Sequence, residues 1–158
     1  KKFENEFTQG ELEAAVAGLK ARDGGSVRTF VSPRWTLEHD IAAAGLGQLS
    51  HRAIRMARRA KDKNDVLTDQ EIADQIRTAD AEFADWQAQQ LGGDEIAARI
   101  YRSLFDKRAS KVEAAHYLAA ELPKQNWTPE DLAQRLPAYL VEAIEYVTEP
   151  IERVGDAV

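Results

Sequence analysis

Two carboxylates at the start of a predicted helix, Glu38 and Asp40, are the first residues in this chain whose position could support chemistry. They follow a short apolar run at residues 27–31 and the turn after it, and open α/β sheets place their chemistry beyond the carboxyl ends of their strands. Carboxylate oxygens suit Mg²⁺, so the pair could bind a divalent cation. Residues two apart on a helix point to different faces, which makes Glu38 the better candidate. The alternative is that Glu38 only complements the dipole of the helix N-terminus.

A lysine, Lys111, stands in the first turn of another predicted helix, where the helix dipole favours acidic side chains instead. A cation in such a position can stabilise negative charge that develops on a phosphate. Lys111 is therefore a second candidate for catalysis. The alternative is a lysine that is only solvated at the protein surface.

A cluster of basic residues forms the third candidate site. The formal net charge of the chain is −6, yet residues 51–63 contain six basic residues and one acid. Four of the basic residues follow one another at intervals of three and four, so that they share one face of a helix. We call this face the basic stripe: Arg52, Arg55, Arg59 and Lys63. It could track the phosphates of DNA, with an affinity that falls as salt rises. The alternatives are a solvated helix face or ion pairs with the acidic remainder of the chain.

Helices dominate the elements that would position these residues. Apolar spacing, serine and threonine caps, and glycine or proline breaks predict helices over residues 11–21, 48–63, 68–91, 94–107, 110–122 and 128–148. A further helix begins after Thr36 and pauses at Gly45 and Gly47, and Pro137 predicts a kink in the last one. Residues 27–32 are rich in β-branched and aromatic side chains, which predicts a short strand that ends at Pro33. The predicted fold is mostly α with a small α/β portion, in which this strand belongs to the end of a parallel sheet.

The composition narrows the classes of function. Cysteine is absent, which excludes disulfides, zinc–cysteine sites and cysteine nucleophiles. The three histidines lack metal-binding spacing, and the sequence contains no phosphate-binding loop, dinucleotide fingerprint or nucleophilic-serine motif. Because the sequence shows neither a leader peptide nor a long apolar segment, we expect a cytoplasmic protein with no membrane partner.

Two segments resemble the C-terminal region of the OLD-family (overcoming lysogenisation defect) ATP-dependent endonucleases. Residues 30–42, FVSPRWTLEHDIA, are similar to the family's strand followed by T-L-E-x-D-L. Residues 110–119, SKVEAAHYLA, are similar to its later K-x-x-x-A-x-x-L-A segment. The two occur in the family's order, separated by a helical insertion. The relatives include the nuclease–ATPase subunit of Gabija phage-defence systems.

This resemblance implies a fold and a mechanism. Proteins of the family join an ABC-type ATPase to a TOPRIM (topoisomerase–primase) domain that cuts DNA with divalent metal ions, by a two-metal mechanism. The resemblance implies that Glu38, with Asp40 beside it, lies next to bound Mg²⁺ or Mn²⁺. It also implies that Lys111 stabilises the transition state. Residues 1–50 would be the C-terminal part of the TOPRIM-like α/β domain and residues 51–109 a helical insertion that carries the basic stripe. Residues 110–158 would be a helical part that packs on the TOPRIM domain.

Two metal-binding motifs of the family, an upstream glutamate and a pair of aspartates, do not precede Val27. We therefore expect this chain to be the C-terminal portion of an endonuclease, inactive by itself, with ATP used only by a domain that the sequence lacks. Its expected partners are DNA, the N-terminal ATPase and upstream TOPRIM segments of the same protein, and a second copy of the chain in a homodimer.

Two other classes of function remain open. A non-catalytic interaction module could use the acidic helices of residues 68–148 for docking or dimerisation. Its interface would include an apolar stripe of five residues: Leu132, Leu136, Leu140, Ile144 and Val147. A DNA-binding regulator could use residues 48–63 as a recognition helix that reads base edges.

Overall fold

The computed structural model describes residues 8–24, 27–32, 34, 36–105 and 109–149. Its α-helices are α1 (Gln9–Lys20), α2 (Leu37–Ile41), α3 (Gly47–Lys63), α4 (Asp69–Ala88), α5 (Gly93–Phe105), α6 (Lys111–Glu121), α7 (Pro129–Ala133) and α8 (Ala138–Thr148). A π-helical turn, Ala42–Leu46, joins α2 to α3, and a 3₁₀ turn, Leu122–Gln125, follows α6. Over these residues the protein is all-α, which confirms the helical part of the predicted fold. None of these helices combines the length and apolar character needed to cross a bilayer.

The predicted strand at residues 27–32 does not form. The nearest feature is an isolated bridge, in which the backbones of Gly24 and Val27 bond each other at N–O distances of 3.1 and 3.0 Å. β-branched and aromatic residues suit a strand where a neighbouring strand and a covering layer hold it. Val27 is 59 % exposed, and the described residues contain no strand that could pair with this segment. The prediction of a sheet end at 27–32 is therefore wrong, and no TOPRIM-like sheet is seen in the described part of the chain. Pro33 lies outside the described residues.

Side-chain caps fix the helix starts that matter for the candidate site. Thr36 caps α2, and Ser110 caps α6 by accepting a hydrogen bond from the Glu113 amide at 3.3 Å. The predicted capping box of α4 is complete, because Thr68 and Glu71 each accept from the other's amide, at 3.3 and 3.0 Å. Each cap satisfies amides that the first helical turn leaves without partners. The caps of α2 and α6 place the two catalytic candidates in first turns.

Helix α3 is the centre of the fold, and α4, α5 and α6 all pack against it. Small residues allow the close approach of these helices, since Ala57 of α3 and Ala97 of α5 are fully buried in one apolar cluster. Larger buried side chains fill the remaining space: Ile54, Met56, Ile100, Tyr101 and Leu104. Because α6 packs on α3, the described parts of segments 51–109 and 110–158 share this core. The predicted three-part division of the chain stays a prediction.

Gly45 breaks the helical path between α2 and α3, which confirms the pause predicted at this residue. Its φ of 145° and ψ of −3° belong to a region that residues with a side chain rarely adopt. A Cβ at this position would lie 3.2 Å from the Arg135 Cβ. The break separates the axis of α2, which carries Glu38, from the axis of α3.

The last predicted helix, residues 128–148, is two helices. Pro137 precedes α8 as its N-cap, and α7 has already ended at Ala133. A proline disfavours helical backbone at the residue before it, so a continuous helix from α7 into α8 is disfavoured, and two separate helices form instead of one kinked helix. None of the residues of α8 is fully buried, and Ile144 and Val147 near its end are 46 % and 75 % exposed.

Candidate functional site

The two catalytic candidates meet in the structure. Lys111 Nζ, on the first residue of α6, donates a hydrogen bond to Glu38 Oε1 in the first turn of α2, across 73 residues of sequence. The lysine side chain is 54 % exposed and the glutamate side chain 32 % exposed. The pair therefore lies at the surface, where a substrate could reach both groups.

The environment of Glu38 favours its charged form. Partial burial raises the pKa of this carboxyl, but hydrogen bonds from Lys111, the backbone and Thr36, with the charge of the lysine, outweigh it. The net result is a pKa below the ordinary value, so Glu38 is a carboxylate at neutral pH. The Lys111 ammonium also lies 6.0 Å from the centroid of the Tyr101 ring, at the outer limit of a cation–π contact.

Asp40 has different partners. It is buried, and Ser32 Oγ donates a hydrogen bond of 2.5 Å to Asp40 Oδ2. His39 Nδ1 lies 3.4 Å from the other carboxylate oxygen. Burial first, and then the nearby charge of Asp40, raise the pKa of the Tyr139 phenol to about 12, and its hydroxyl has no hydrogen-bond partner in the described part of the chain. Asp40 thus ties the segment before α2 to α2 itself, a connection that its sequence position does not predict.

The described residues do not by themselves form a site for Mg²⁺ or Mn²⁺. No cluster of three or more acidic or histidine side chains suited to a metal occurs among them. Glu38 is held by Lys111 and Asp40 by Ser32, so the two carboxylates are engaged on different partners. A metal site that includes them needs further ligands from outside the described residues, and their role as ligands stays a prediction.

Every side chain of the basic stripe is paired with an acid of α4. The shortest nitrogen–oxygen distances are 2.6 Å for Arg52–Asp80, 2.6 Å for Arg55–Glu82, 3.1 Å for Arg59–Glu71 and 2.7 Å for Lys63–Glu71. We call this set the α3–α4 array. The open alternative of ion pairs with the acidic remainder is therefore what the structure shows. DNA binding by the stripe stays a prediction, and it would require phosphates to compete with these carboxylates.

Two acids of the array, Glu71 and Asp80, have lowered pKa values. The hydrogen bond from Lys63, with those from Thr68 and Arg59, lowers the pKa of Glu71 to about 2. Burial raises the pKa of Asp80, but hydrogen bonds from Arg52 and Gln48 outweigh it and leave that pKa below its ordinary value. Both carboxylates therefore remain charged well into the acidic range.

His51, on α3 beside the basic stripe, is a polar residue that the sequence analysis did not single out. Its Nε2 lies 2.7 Å from Glu82 Oε2, and its ring packs on Trp86 with 4.7 Å between centroids. Burial lowers the pKa of His51, and the contact with Glu82 opposes that effect only in part. The residue acts as a neutral, buried link between α3 and α4. Trp86 also packs against the apolar core.

Compared with known protein families, with curated proteins and with solved structures, the chain shows no match. The geometry of the described residues is therefore the basis on which a function can be argued.

Proposed function

We propose that this chain is the C-terminal portion of a metal-dependent DNA endonuclease of the OLD type, with Glu38 and Lys111 in its active site. The observation that carries the proposal is the contact between these two side chains. They come from the two segments that resemble the family, and 73 residues separate them in sequence. A resemblance that arose by chance in two short segments would not require their charged residues to meet.

The chemistry suits hydrolysis of a phosphodiester. Lys111 offers a positive charge at the N-terminal end of α6, where the helix dipole adds to it, and such a charge stabilises the extra negative charge of the reacting phosphate. Glu38 holds that ammonium in place and is itself an ionised oxygen ligand for a divalent cation. Metal ions bound there would supply the activation of water.

A complete site of this type needs more than Glu38 and Lys111. A TOPRIM site requires a sheet and additional carboxylates, and both would have to come from outside the described residues. Residues 1–158 alone are therefore expected not to cleave DNA. Magnesium-dependent nicking by this chain alone, in a preparation free of contaminating nucleases, would contradict that expectation.

The test is plasmid cleavage with Mg²⁺ or Mn²⁺ by the natural protein that contains this chain. Glu38→Gln and Lys111→Met, which remove charge and keep size, are expected to abolish cleavage. The matched controls are Glu95→Gln and Arg99→Met, which break an exposed ion pair of 3.4 Å on α5. These controls should cleave like the wild type.

A charge reversal separates catalysis from simple stabilisation. The double variant Glu38→Lys with Lys111→Glu can restore the ion pair while exchanging its two chemical roles. We expect it to fold with near wild-type stability and to remain inactive. Full cleavage by the reversed pair, or by both single variants, would refute an active-site role for these residues.

A second function is favoured by the exposed end of α8. Of the apolar stripe predicted as an interface, Leu132, Leu136 and Leu140 are partly buried, whereas Ile144 and Val147 remain largely exposed. Exposed apolar side chains of this kind are common at contacts between subunits. The alternative is therefore a non-catalytic dimerisation module. Light scattering should then detect a dimer that Val147→Glu dissociates, while a monomer at high concentration would exclude this alternative.

A further inference from the structure

A cavity of about 350 Å³ lies between α2, α3, α5 and α6. Its volume falls in the range of pockets that bind small molecules. Most of its wall is apolar: Ile41, Ala53, Ile54, Ile100, Leu104 and Leu118. Two further apolar residues that line it, Leu37 and Val112, are exposed to solvent, so the cavity is accessible from outside.

One polar group of this wall has no partner. Ser50 of α3 is only 7 % exposed and lines the cavity, and its Oγ forms no hydrogen bond with the described part of the chain. A buried hydroxyl without a partner destabilises a fold, whereas an alanine at this helical position would complete an apolar wall without that cost. The hydroxyl oxygen is itself closed to solvent in this conformation, so a ligand in the cavity would reach it after rotation of the serine side chain towards that space.

The charged residues beside the cavity indicate what kind of ligand fits. Glu38 and Lys111 both line it, and their ion pair leaves that side of the cavity without net charge. A charged ligand inside the apolar part of the cavity, away from the partly solvated rim formed by Glu38 and Lys111, would remain uncompensated, which is costly. An uncharged ligand avoids this penalty.

We propose that this cavity binds a small, uncharged and mainly apolar molecule, whose one hydrogen-bonding group meets Ser50 Oγ. Burial of its apolar body against the cavity wall would supply most of the affinity, and the hydroxyl would orient it. This site takes a ligand chemically unlike a phosphodiester. It does not rest on the proposed nuclease function, and the following experiment tests it without any measurement of cleavage.

The probes are indole and indene, two molecules of nearly the same shape, of which only indole carries an N–H donor. Amide chemical shifts of the chain are followed by NMR as each probe is added. We expect saturable binding, with the largest shifts in α3, α5 and α6 around the cavity. Ser50→Ala should weaken the affinity for indole relative to indene by about two- to tenfold, the loss typical of one neutral hydrogen bond.

A matched pair of variants locates the binding. Ala115 and Ala120 are both exposed on α6, but only Ala115 lines the cavity. Ala115→Phe should fill the cavity and abolish binding of both probes, and Ala120→Phe should leave it unchanged. Absence of saturable binding, or an equal loss in the two phenylalanine variants, would overturn the site. An unchanged ratio of indole to indene affinity in Ser50→Ala would overturn the assigned class of ligand.

Discussion

Arg52 of α3 connects three helices, and we expect its removal to destabilise the fold measurably. Its guanidinium donates to Asp80 of α4 at 2.6 and 2.8 Å, and its third nitrogen lies 3.9 Å from Glu121 at the end of α6. Arg52 is 18 % exposed, Asp80 35 % and Glu121 5 %. The substitution Arg52→Met keeps most of the apolar stem and removes the charge.

The expected loss in the free energy of unfolding of Arg52→Met lies between two limits. An exposed ion pair contributes about 0.2–1 kcal/mol, and removal of one partner from a fully buried pair costs about 3–5 kcal/mol. Because Arg52 is mostly buried and Asp80 is partly solvated, we expect Arg52→Met to cost about 2–3 kcal/mol. Asp80→Asn should cost less, about 1–2 kcal/mol, since it keeps an acceptor oxygen and leaves Glu121 near the guanidinium.

The assay is urea unfolding followed by circular dichroism, with the free energy of unfolding extrapolated to water. Arg99→Met, which removes an exposed partner of Glu95, is the control and should cost less than about 0.5 kcal/mol. In thermal unfolding, Arg52→Met should lower the Tm by about 5–10 °C for a chain of this size. If Arg52→Met costs no more than Arg99→Met, the α3–α4 array does not stabilise the fold and the reasoning fails.

Glu71 and two glycines, Gly45 and Gly18, offer further tests of the fold and of the basic stripe. The pKa of Glu71 is about 2 in the folded protein, against an ordinary value of 4.5. Ionised Glu71 therefore stabilises the fold fully above pH 4.5, and this stabilisation is lost as the pH falls towards 2. The midpoint of urea unfolding should decline across that pH range in the wild type, and decline less in Glu71→Gln. Glu71→Gln should also release Arg59 and Lys63 from the array, so that both can contact DNA phosphates. The slope of the log binding constant for duplex DNA against log salt concentration should then steepen by up to about two. An unchanged slope argues against DNA contact by the basic stripe. Gly45→Ala should lower the free energy of unfolding by about 1–3 kcal/mol, because the backbone of Gly45 has a φ of 145°. Gly18→Ala should raise the free energy of unfolding by up to about 1 kcal/mol, because Gly18 lies in helix α1 with open space around it. Calorimetry that gives both changes the same sign would refute this account.

The helices could be predicted from the sequence because their signals are local. A threonine or serine three residues before an acid specifies a helix start regardless of what packs on it, and α4 begins where the Thr68–Glu71 capping box predicts. The segment 27–32 shows the opposite case. Its β-branched residues favour an extended and covered backbone, but such a segment forms a strand only where a neighbouring strand pairs with it.

The candidate site was predictable as a set of residues but not as a geometry. Nothing local to Glu38 or Lys111 specifies that they touch, since their contact depends on how α2 and α6 are placed around α3. The sequence also did not specify which acids pair with the basic stripe, because any of the acids in residues 68–148 could have faced it. Asp40 illustrates a further limit: its position in sequence suggests a metal ligand, but the sequence does not show that its side chain is buried and hydrogen-bonded to Ser32.

The distance in sequence between Glu38 and Lys111 also has a consequence for any study of their role. Their contact closes a loop of 73 residues, and the entropy lost in closing such a loop is recovered only when the helices between them have packed. The contact is therefore a property of the whole tertiary structure, and a core substitution far away in α3 can separate the two side chains without touching either. Any loss of activity in a variant of this protein can be assigned to chemistry only after its folded population has been measured.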